Sequence, residues 1–184
     1  SAIVMRDDMI AGGTKRRALD LVLKDMPHND VAYAGTIFGH GALALAHACR
    51  EAGKRAHLYI ASNDENHPMM KRLREAGAII ERCAPVPVEQ LHTQAKGDYI
   101  FPLGFDTPVF HEAMVAALKP IDVGGYSEIW CSAVSGTLAR ALQAAFPHMR
   151  LRIVAMARAG DGEFCTPEKY HQSAEAPPPY PSCA

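Results

Sequence analysis

The chain has 184 residues, of which 48% are hydrophobic and 21% are charged, and its formal net charge is −1. These values indicate a globular protein with enough chain for one large domain or two small lobes, and they exclude a wholly disordered one. A net charge near zero gives no overall electrostatic footprint for nucleic acid, and no apolar run approaches the length of a membrane span.

Helical and extended patterns alternate along the chain, and this alternation is typical of an α/β protein with parallel sheets. Apolar residues at helical spacing, with proline or glycine at the ends, predict the helices, and short apolar runs predict the strands. The predicted helices are 16–26, 42–52, 68–76, 109–118 and 138–146, and the predicted strands are 31–34, 56–61, 78–82, 99–101, 128–132 and 151–156. Prolines within 176–181 predict an extended tail.

The five cysteines are widely spaced and show none of the paired spacings of a metal site. No metal site is therefore predicted. An odd, scattered set of cysteines is typical of a reducing compartment, and we expect a cytoplasmic protein without membrane contact.

One lysine near the start of the chain follows a pair of glycines, in the stretch Gly12-Gly13-Thr14-Lys15. A lysine amine held in a tight turn can attack an aldehyde cofactor if its pKa is low enough. Burial and the positive charges of the following Arg16 and Arg17 are both expected to lower that pKa. A solvated basic helix start is the alternative interpretation.

Two glycine-containing loops, 35–41 and 132–137, run from a predicted strand into the start of a predicted helix. Unpaired backbone N–H groups and the helix dipole favour a phosphate or carboxylate at such a position. In open α/β sheets, ligands bind beyond the carboxyl ends of the strands, where both loops are expected.

The first loop also allows a second interpretation. Gly39-His40-Gly41 and the following Ala42 to Ala44 fit the G-x-G-x-x-A form of a dinucleotide-binding fingerprint, and Asp64 follows at the distance of a ribose-binding acid. However, residues 35–38 separate the strand from the first glycine of the pattern. A Rossmann-type dinucleotide-binding protein therefore stays an alternative, as does a binding protein without catalytic activity.

Taken in order, these motifs resemble the fold-type II pyridoxal-phosphate enzymes, nearest the branch of 1-aminocyclopropane-1-carboxylate deaminase and D-cysteine desulfhydrase. An Arg-Asp-Asp segment precedes the cofactor lysine in that branch, as residues 6–8 precede Lys15 here. The branch then has a substrate-facing loop, a proline–glycine loop and a glycine-rich phosphate loop, to which 36–41, 102–108 and 133–137 are similar. The resemblance covers roughly residues 3 to 157.

The resemblance implies pyridoxal 5′-phosphate as cofactor and Lys15 as the catalytic residue that carries it as a Schiff base. His40 takes the place of an asparagine beside the cofactor ring. The implied phosphate-binding residues are Ala133, Val134, Ser135, Gly136 and Thr137. The implied substrate-binding residues are Thr36, Gly39, His40 and Gly41.

The implied fold is two-lobed and α/β, with parallel sheets, flanking helices and a shortened C-terminal part. Residues 1–30 and 98–184 are expected to form the larger lobe and residues 31–97 a smaller, inserted one. The implied function is deaminase, lyase or decarboxylase chemistry on the amino group of an amino acid, in a homodimer. Short bacteriophage relatives imply a variant that acts on an amino-acid adduct of thymine in DNA.

Overall fold

The computed structural model describes residues 3–133 and 135–155, and within them helices and strands alternate. Short 3-10 turns lie at Asp7–Met9 and Leu103–Phe105. The other elements are α1 (Arg16–Asp25), β1 (Asp30–Thr36), α2 (Gly41–Glu51), β2 (Arg55–Ala61), α3 (Pro68–Glu75), β3 (Ile79–Cys83), α4 (Val88–Gln94), β4 (Tyr99–Phe101), α5 (Pro108–Leu118), β5 (Glu128–Ala133), α6 (Thr137–Ala145) and β6 (Arg150–Ala155).

The strands form parallel sheets, as predicted. The first sheet has the order β3-β2-β1-β4, with Asp30 opposite Arg55 and Val31 opposite Tyr99. β5 pairs with β6 in a second parallel sheet. Because all strands of a sheet run the same way, the loops that follow β1, β2 and β4 share one edge, which we call the carboxyl edge; the opposite one is the amino edge.

The chain divides into two compact units that meet in sequence between Ala113 and Met114. Strands β1 to β4 belong to the first unit, and β5 and β6 belong to the second. The lobe boundaries expected at residues 31 and 97 stay a prediction. The proline-rich segment 176–181 lies outside the described residues.

Small side chains let α2 lie close to the elements around it. Its alanines at 42, 44, 46 and 48 are buried, and the helix packs against α1, β1 and β2. Leu43 and Leu45 are fully buried beside them, and burial of a leucine side chain contributes about 2 kcal/mol. The close approach of α2 matters for the site, because its first turn borders the carboxyl edge.

The sequence did not predict α4. This helix has seven residues and begins after Pro87, and among its described side chains only Leu91 is buried and apolar. Leu91 packs against Ala32, Ala34 and Tyr59. Its seven residues are fewer than the window of about 11–18 over which helical spacing is recognised, so the sequence pattern did not predict it. No helix of the described residues is long and apolar enough to cross a membrane.

Candidate functional site

Lys15 is held by a glycine turn that packs against the start of α2. Gly12 and Gly13 have φ of +92° and +76°, a left-handed conformation that favours glycine. A Cβ at Gly12 would lie only 2.6 Å from the Cα of Ala44, so the backbones touch there. Lys15 follows in the N-cap position of α1. The paired glycines therefore serve both the turn and its close approach to α2.

The arginines next to Lys15 are each matched by carboxylates. Arg16 is buried and pairs with Asp20 at 2.8 Å and with Glu51 at 2.9 Å. Arg17 pairs with Asp7 at 2.6 Å. The expectation that these two arginines lower the pKa of Lys15 is wrong, because burial is the cause that lowers it, to about 8.

The side chain of Lys15 lies over an aromatic ring. Its Nζ is 5.1 Å from the centre of the Phe105 ring, within the range of a cation–π contact. Within the part of the chain that the structure describes, no hydrogen bond or ion pair reaches this amine. Lys15 is thus half-buried with a lowered pKa and no carboxylate partner, as an amine nucleophile requires.

Phe105 lies in the loop after β4 and has an unusual backbone. Gly104 and Phe105 both adopt left-handed φ values, +73° and +62°. For a bulky residue this conformation costs about 1–3 kcal/mol and persists only where the surroundings enforce it. Phe105 is fully buried and stacks on Tyr33, with ring centres 4.7 Å apart and planes 5° apart. Sequence patterns had indicated only a proline–glycine loop here.

The loop after β1 meets the same aromatic pair. A Cβ at Gly41 would lie 2.9 Å from the hydroxyl oxygen of Tyr33 and 3.1 Å from Cε2 of Phe105. Gly41 is buried, whereas Thr36, Gly39 and His40 are exposed. The expected substrate-binding loop thus has three residues open to solvent and one glycine packed on Tyr33 and Phe105.

His40 occupies the N-cap position of α2, and its side chain makes no capping hydrogen bond. The backbone N–H groups of the first turn of α2 therefore donate no hydrogen bond to the side chain of His40. Such N–H groups, together with the helix dipole, favour an anionic ligand group.

These features converge at one point of the first sheet. β1 lies between β2 and β4, so the chain crosses to opposite sides of β1 and creates a topological switch point at the carboxyl edge. Ligands of open α/β sheets bind at this place. The Lys15 turn, the start of α2 and the loop with Phe105 all contact one another there.

The expected phosphate loop belongs to the second unit. Ala133 is buried at the end of β5, and Val134 lies outside the described residues. Gly136 has a φ of +73° in the N-cap position of α6, and the hydroxyl oxygens of Ser135 and Thr137 are 3.2 Å apart. A left-handed glycine, two hydroxyls and a helix start have the chemistry of an anion-binding turn.

The dinucleotide interpretation receives mixed support. The order β3-β2-β1-β4 is that of the first four strands of a Rossmann sheet. However, Gly39 is three residues beyond the end of β1, and its N–H bonds back to the carbonyl of Thr36. Asp64 accepts a hydrogen bond from the N–H of Asn66 at 2.8 Å, so it shapes its own turn.

A second cluster of charges lies at the amino edge of the first sheet. Asp30 accepts hydrogen bonds from Arg55 at 2.6 and 2.5 Å and pairs with Nε2 of His57 at 2.7 Å. Asp98 accepts the backbone N–H of Asp30 at 3.2 Å. The surrounding shallow cleft of about 580 Å³ is lined by Asp30, Arg55, His57, Tyr59, Ile79, Lys96, Gly97 and Asp98.

Comparison with solved structures confirms the fold. The chain is similar to threonine deaminase isoform 2 from Solanum lycopersicum, with 14% identity and a TM-score of 0.67 over 82% of this chain and 45% of that one. An ACC deaminase homologue has 18% identity and a TM-score of 0.68, over 85% of this chain and 55% of that one. A pyridoxal 5′-phosphate-dependent aspartate racemase has 16% identity and a TM-score of 0.58, over 79% of this chain and 46% of that one.

The described chain therefore has the fold of the fold-type II pyridoxal-phosphate enzymes, as the sequence motifs predicted. It spans about half the length of the solved structures that it matches. At the level of sequence, no family model and no curated protein matches the chain.

Proposed function

We propose that this chain is part of a pyridoxal-phosphate enzyme that acts on the amino group of an amino acid, with Lys15 as the residue that binds the cofactor covalently. One observation carries the proposal: the ε-amine of Lys15 lies at the switch point of the sheet, half-buried, with a pKa of about 8 and with Phe105 as its neighbour. Proteins of the same fold include a deaminase and a pyridoxal 5′-phosphate-dependent racemase.

The residues of the chain fit this cofactor in two respects. Its aldehyde needs an amine that is free of a carboxylate partner, and Lys15 meets that need among the described residues. Its phosphate needs N–H and hydroxyl donors, and the turn of Ser135, Gly136 and Thr137 in the second unit, taken by itself, carries donors of this kind at the start of α6. His40 and Gly41 border the side of the site nearest α2 and would face the substrate carboxylate.

The cofactor, when bound, supplies an electron sink for the carbanion formed at the substrate Cα. The chain supplies the proton chemistry. With a pKa of about 8, roughly one Lys15 amine in ten is neutral at pH 7, compared with fewer than one in a thousand for an ordinary lysine. The same amine can take up or return the proton at Cα, because a group that titrates near the working pH serves as both acid and base.

Borohydride trapping tests the proposal. The protein is incubated with pyridoxal phosphate, reduced and digested, and the cofactor adds roughly 231 Da to the lysine that holds it. We expect a single adduct at Lys15 and its loss in Lys15→Arg. Lys54→Arg is the matched control, since Nζ of Lys54 already donates to the carbonyls of Met26 and His28. Labelling spread over several lysines, or none at all, would contradict the proposal.

A substrate on DNA is a second candidate, favoured by one observation. Phe38 is 81% exposed in the loop at the carboxyl edge and meets His67 edge to face at 5.8 Å. An exposed aromatic ring beside the site could stack on a nucleobase. Two of the chain's basic residues offer little to DNA at this place, since Arg74 is paired with Glu65 and Arg55 is paired with Asp30 at the amino edge. We expect a salt-sensitive gel shift with duplex DNA that Phe38→Ala abolishes; turnover of free amino acids without any shift would exclude this candidate.

The dinucleotide alternative can be separated from both. A Rossmann-type protein should bind NAD(H), lose that binding in Asp64→Ala and keep it in Lys15→Arg. A protein that binds neither cofactor would be a binding protein without this chemistry. The predicted homodimer and cytoplasmic location stay predictions.

A further inference from the structure

We infer that Phe105 is a positioning residue for Lys15: its ring holds the protonated ε-amine at the switch point and releases the amine when the proton leaves. The inference rests on the proposed function, since positioning matters only if this amine is the nucleophile.

The contact distinguishes the two protonation states of Lys15. A ring quadrupole attracts an ammonium at 5.1 Å, whereas a neutral amine carries no net charge for it to attract. No carboxylate competes for this amine among the described residues, because Asp7, Asp20 and Glu51 are each bonded to Arg16 or Arg17. Within the described part of the chain, the ring is therefore the partner of the charged amine.

The backbone and the core fix the ring where this contact needs it. The left-handed pair Gly104 and Phe105 turns the side chain inward, and Phe105 is fully buried. Three rings surround it: Tyr33 is stacked at 4.7 Å, Phe110 at 5.3 Å, and Phe101 is edge-on at 5.1 Å. A ring enclosed in this way cannot follow the lysine, so the lysine must leave the ring.

Burial and the ring act on Lys15 in opposite directions. Burial disfavours the ammonium, and the ring favours it. Without the ring, the ammonium would be held less well, and the pKa of Lys15 would be lower than it is with the ring in place. Because burial and the ring oppose each other, the amine of Lys15 stays charged at rest. A modest rise in pH, or the arrival of an aldehyde, is enough for it to lose its proton and leave the ring.

The test is a titration of Lys15 in the cofactor-free protein. Lysines are dimethylated with ¹³C, the signal of Lys15 is assigned by its absence in Lys15→Arg, and its pKa is followed by NMR. We expect Phe105→Leu to lower the pKa by about one unit, which raises the neutral fraction at pH 7 about fivefold. Phe105→Tyr keeps a ring and should keep a pKa near that of the wild type.

Phe110→Leu is the matched control. Phe110 is equally buried and also stacks on Phe105, but no contact joins it to Lys15 among the described residues. Its replacement should loosen the same cluster without changing the pKa of Lys15. An unchanged pKa in Phe105→Leu, or an equal fall in both variants, overturns the inference.

A second readout needs no replacement of Phe105. Methyl groups on Nζ of Lys15 should resonate upfield of the other dimethyl-lysines in the wild type, because they lie over an aromatic face. Lys15 signals at the position of an exposed lysine would overturn the inference even if Phe105→Leu does not fold. Borohydride trapping is independent of both readouts, so failure of the cofactor proposal and failure of the Phe105 contact give different results.

Discussion

The two edges of the four-stranded sheet differ in whether their charged side chains are paired with opposite charges. At the amino edge, Asp30 is bonded to both Arg55 and His57, and the charges there are matched by direct contacts. At the carboxyl edge, Lys15 has an aromatic ring in place of a carboxylate, although Arg16 and Arg17 beside it are fully paired. Among the described residues of these two edges, Lys15 at the carboxyl edge is thus a charged group without a carboxylate partner.

Left-handed glycines border both edges: Gly12, Gly13 and Gly104 lie at the carboxyl edge, and Gly53 and Gly77 precede β2 and β3 at the amino edge. Among the described residues, the left-handed residue that carries a side chain is Phe105, at the carboxyl edge. Strained backbone and an unmatched charge both cost stability, and proteins retain them where function needs them. The difference supports the proposal that the carboxyl edge carries the site, whereas the charges at the amino edge are matched within the protein.

The largest effect is expected where the Lys15 turn meets α2. In Gly12→Ala the new Cβ would collide with the backbone of Ala44, and the φ of +92° adds strain. We expect the free energy of unfolding to fall by about 3–5 kcal/mol. Gly13→Ala is the control, because its φ is +76° but no atom lies within 4 Å of the new Cβ, and it should cost about 1–2 kcal/mol. Urea unfolding measures both, and equal losses would show that Gly12 does not touch α2.

Replacement of the unmatched amine should stabilise the protein. Lys15→Met keeps a long, unbranched side chain and removes the cost of burying an ammonium. We therefore expect the free energy of unfolding to increase by roughly 1–3 kcal/mol at pH 7. The pKa of Lys15 is about 8 in the folded state and 10.5 in the reference state, so the unfolded chain binds more protons between these values. Wild-type stability should therefore rise relative to the variant from pH 8 to 10.5.

The matched control for this variant is Lys54→Met, in the turn before β2. Nζ of Lys54 donates to the carbonyls of Met26 and His28 at 2.8 and 3.0 Å, and its loss should cost about 1 kcal/mol. A gain of stability in Lys15→Met together with a loss in Lys54→Met would support the difference between the two edges. A loss of stability in Lys15→Met would mean that its amine has a carboxylate or hydrogen-bonding partner.

The elements of the fold could be predicted from the sequence because each has a local signal. Pro27 and Pro68 mark helix boundaries, and the short apolar runs of β1 and β2 match the structure to within two residues. α4 had no such signal, since it has seven residues, fewer than the window of about 11–18 over which helical spacing is recognised. The parallel order of the strands followed from the alternation of elements and needed no long-range information.

The site could be predicted only in part. The turn with Lys15 could be predicted because the paired glycines and the lysine lie within a few residues of one another, and each residue type has a specific local role. Phe105 and Tyr33 gave no signal, because a buried aromatic residue looks the same in a core as beside an amine. The left-handed φ of Phe105 and the carboxylates that match Arg16 and Arg17 depend on tertiary contacts. A sequence motif specifies the reactive group, whereas its electrostatic environment comes from the fold.

The smallest effect is expected from the matched charges at the amino edge. Hydrogen bonds from Arg55 and His57 lower the pKa of Asp30 to about 2, from an ordinary 3.8. A lowered carboxyl pKa contributes stability that is present above pH 3.8 and is lost as the pH falls towards 2.

Asp30→Asn keeps the shape of this side chain and removes its charge. The variant should be slightly less stable than the wild type at neutral pH and equal to it below pH 2, since exposed ion pairs contribute little. Asp98→Asn is the control, because its amide oxygen can still accept the N–H of Asp30 at the same place. Urea midpoints measured from pH 2 to 7 test this. If the difference in urea midpoint between Asp30→Asn and the wild type stays constant down to pH 2, the carboxylate of Asp30 is not stabilised by Arg55 and His57. The charges at the amino edge would then contribute nothing to the stability of the sheet.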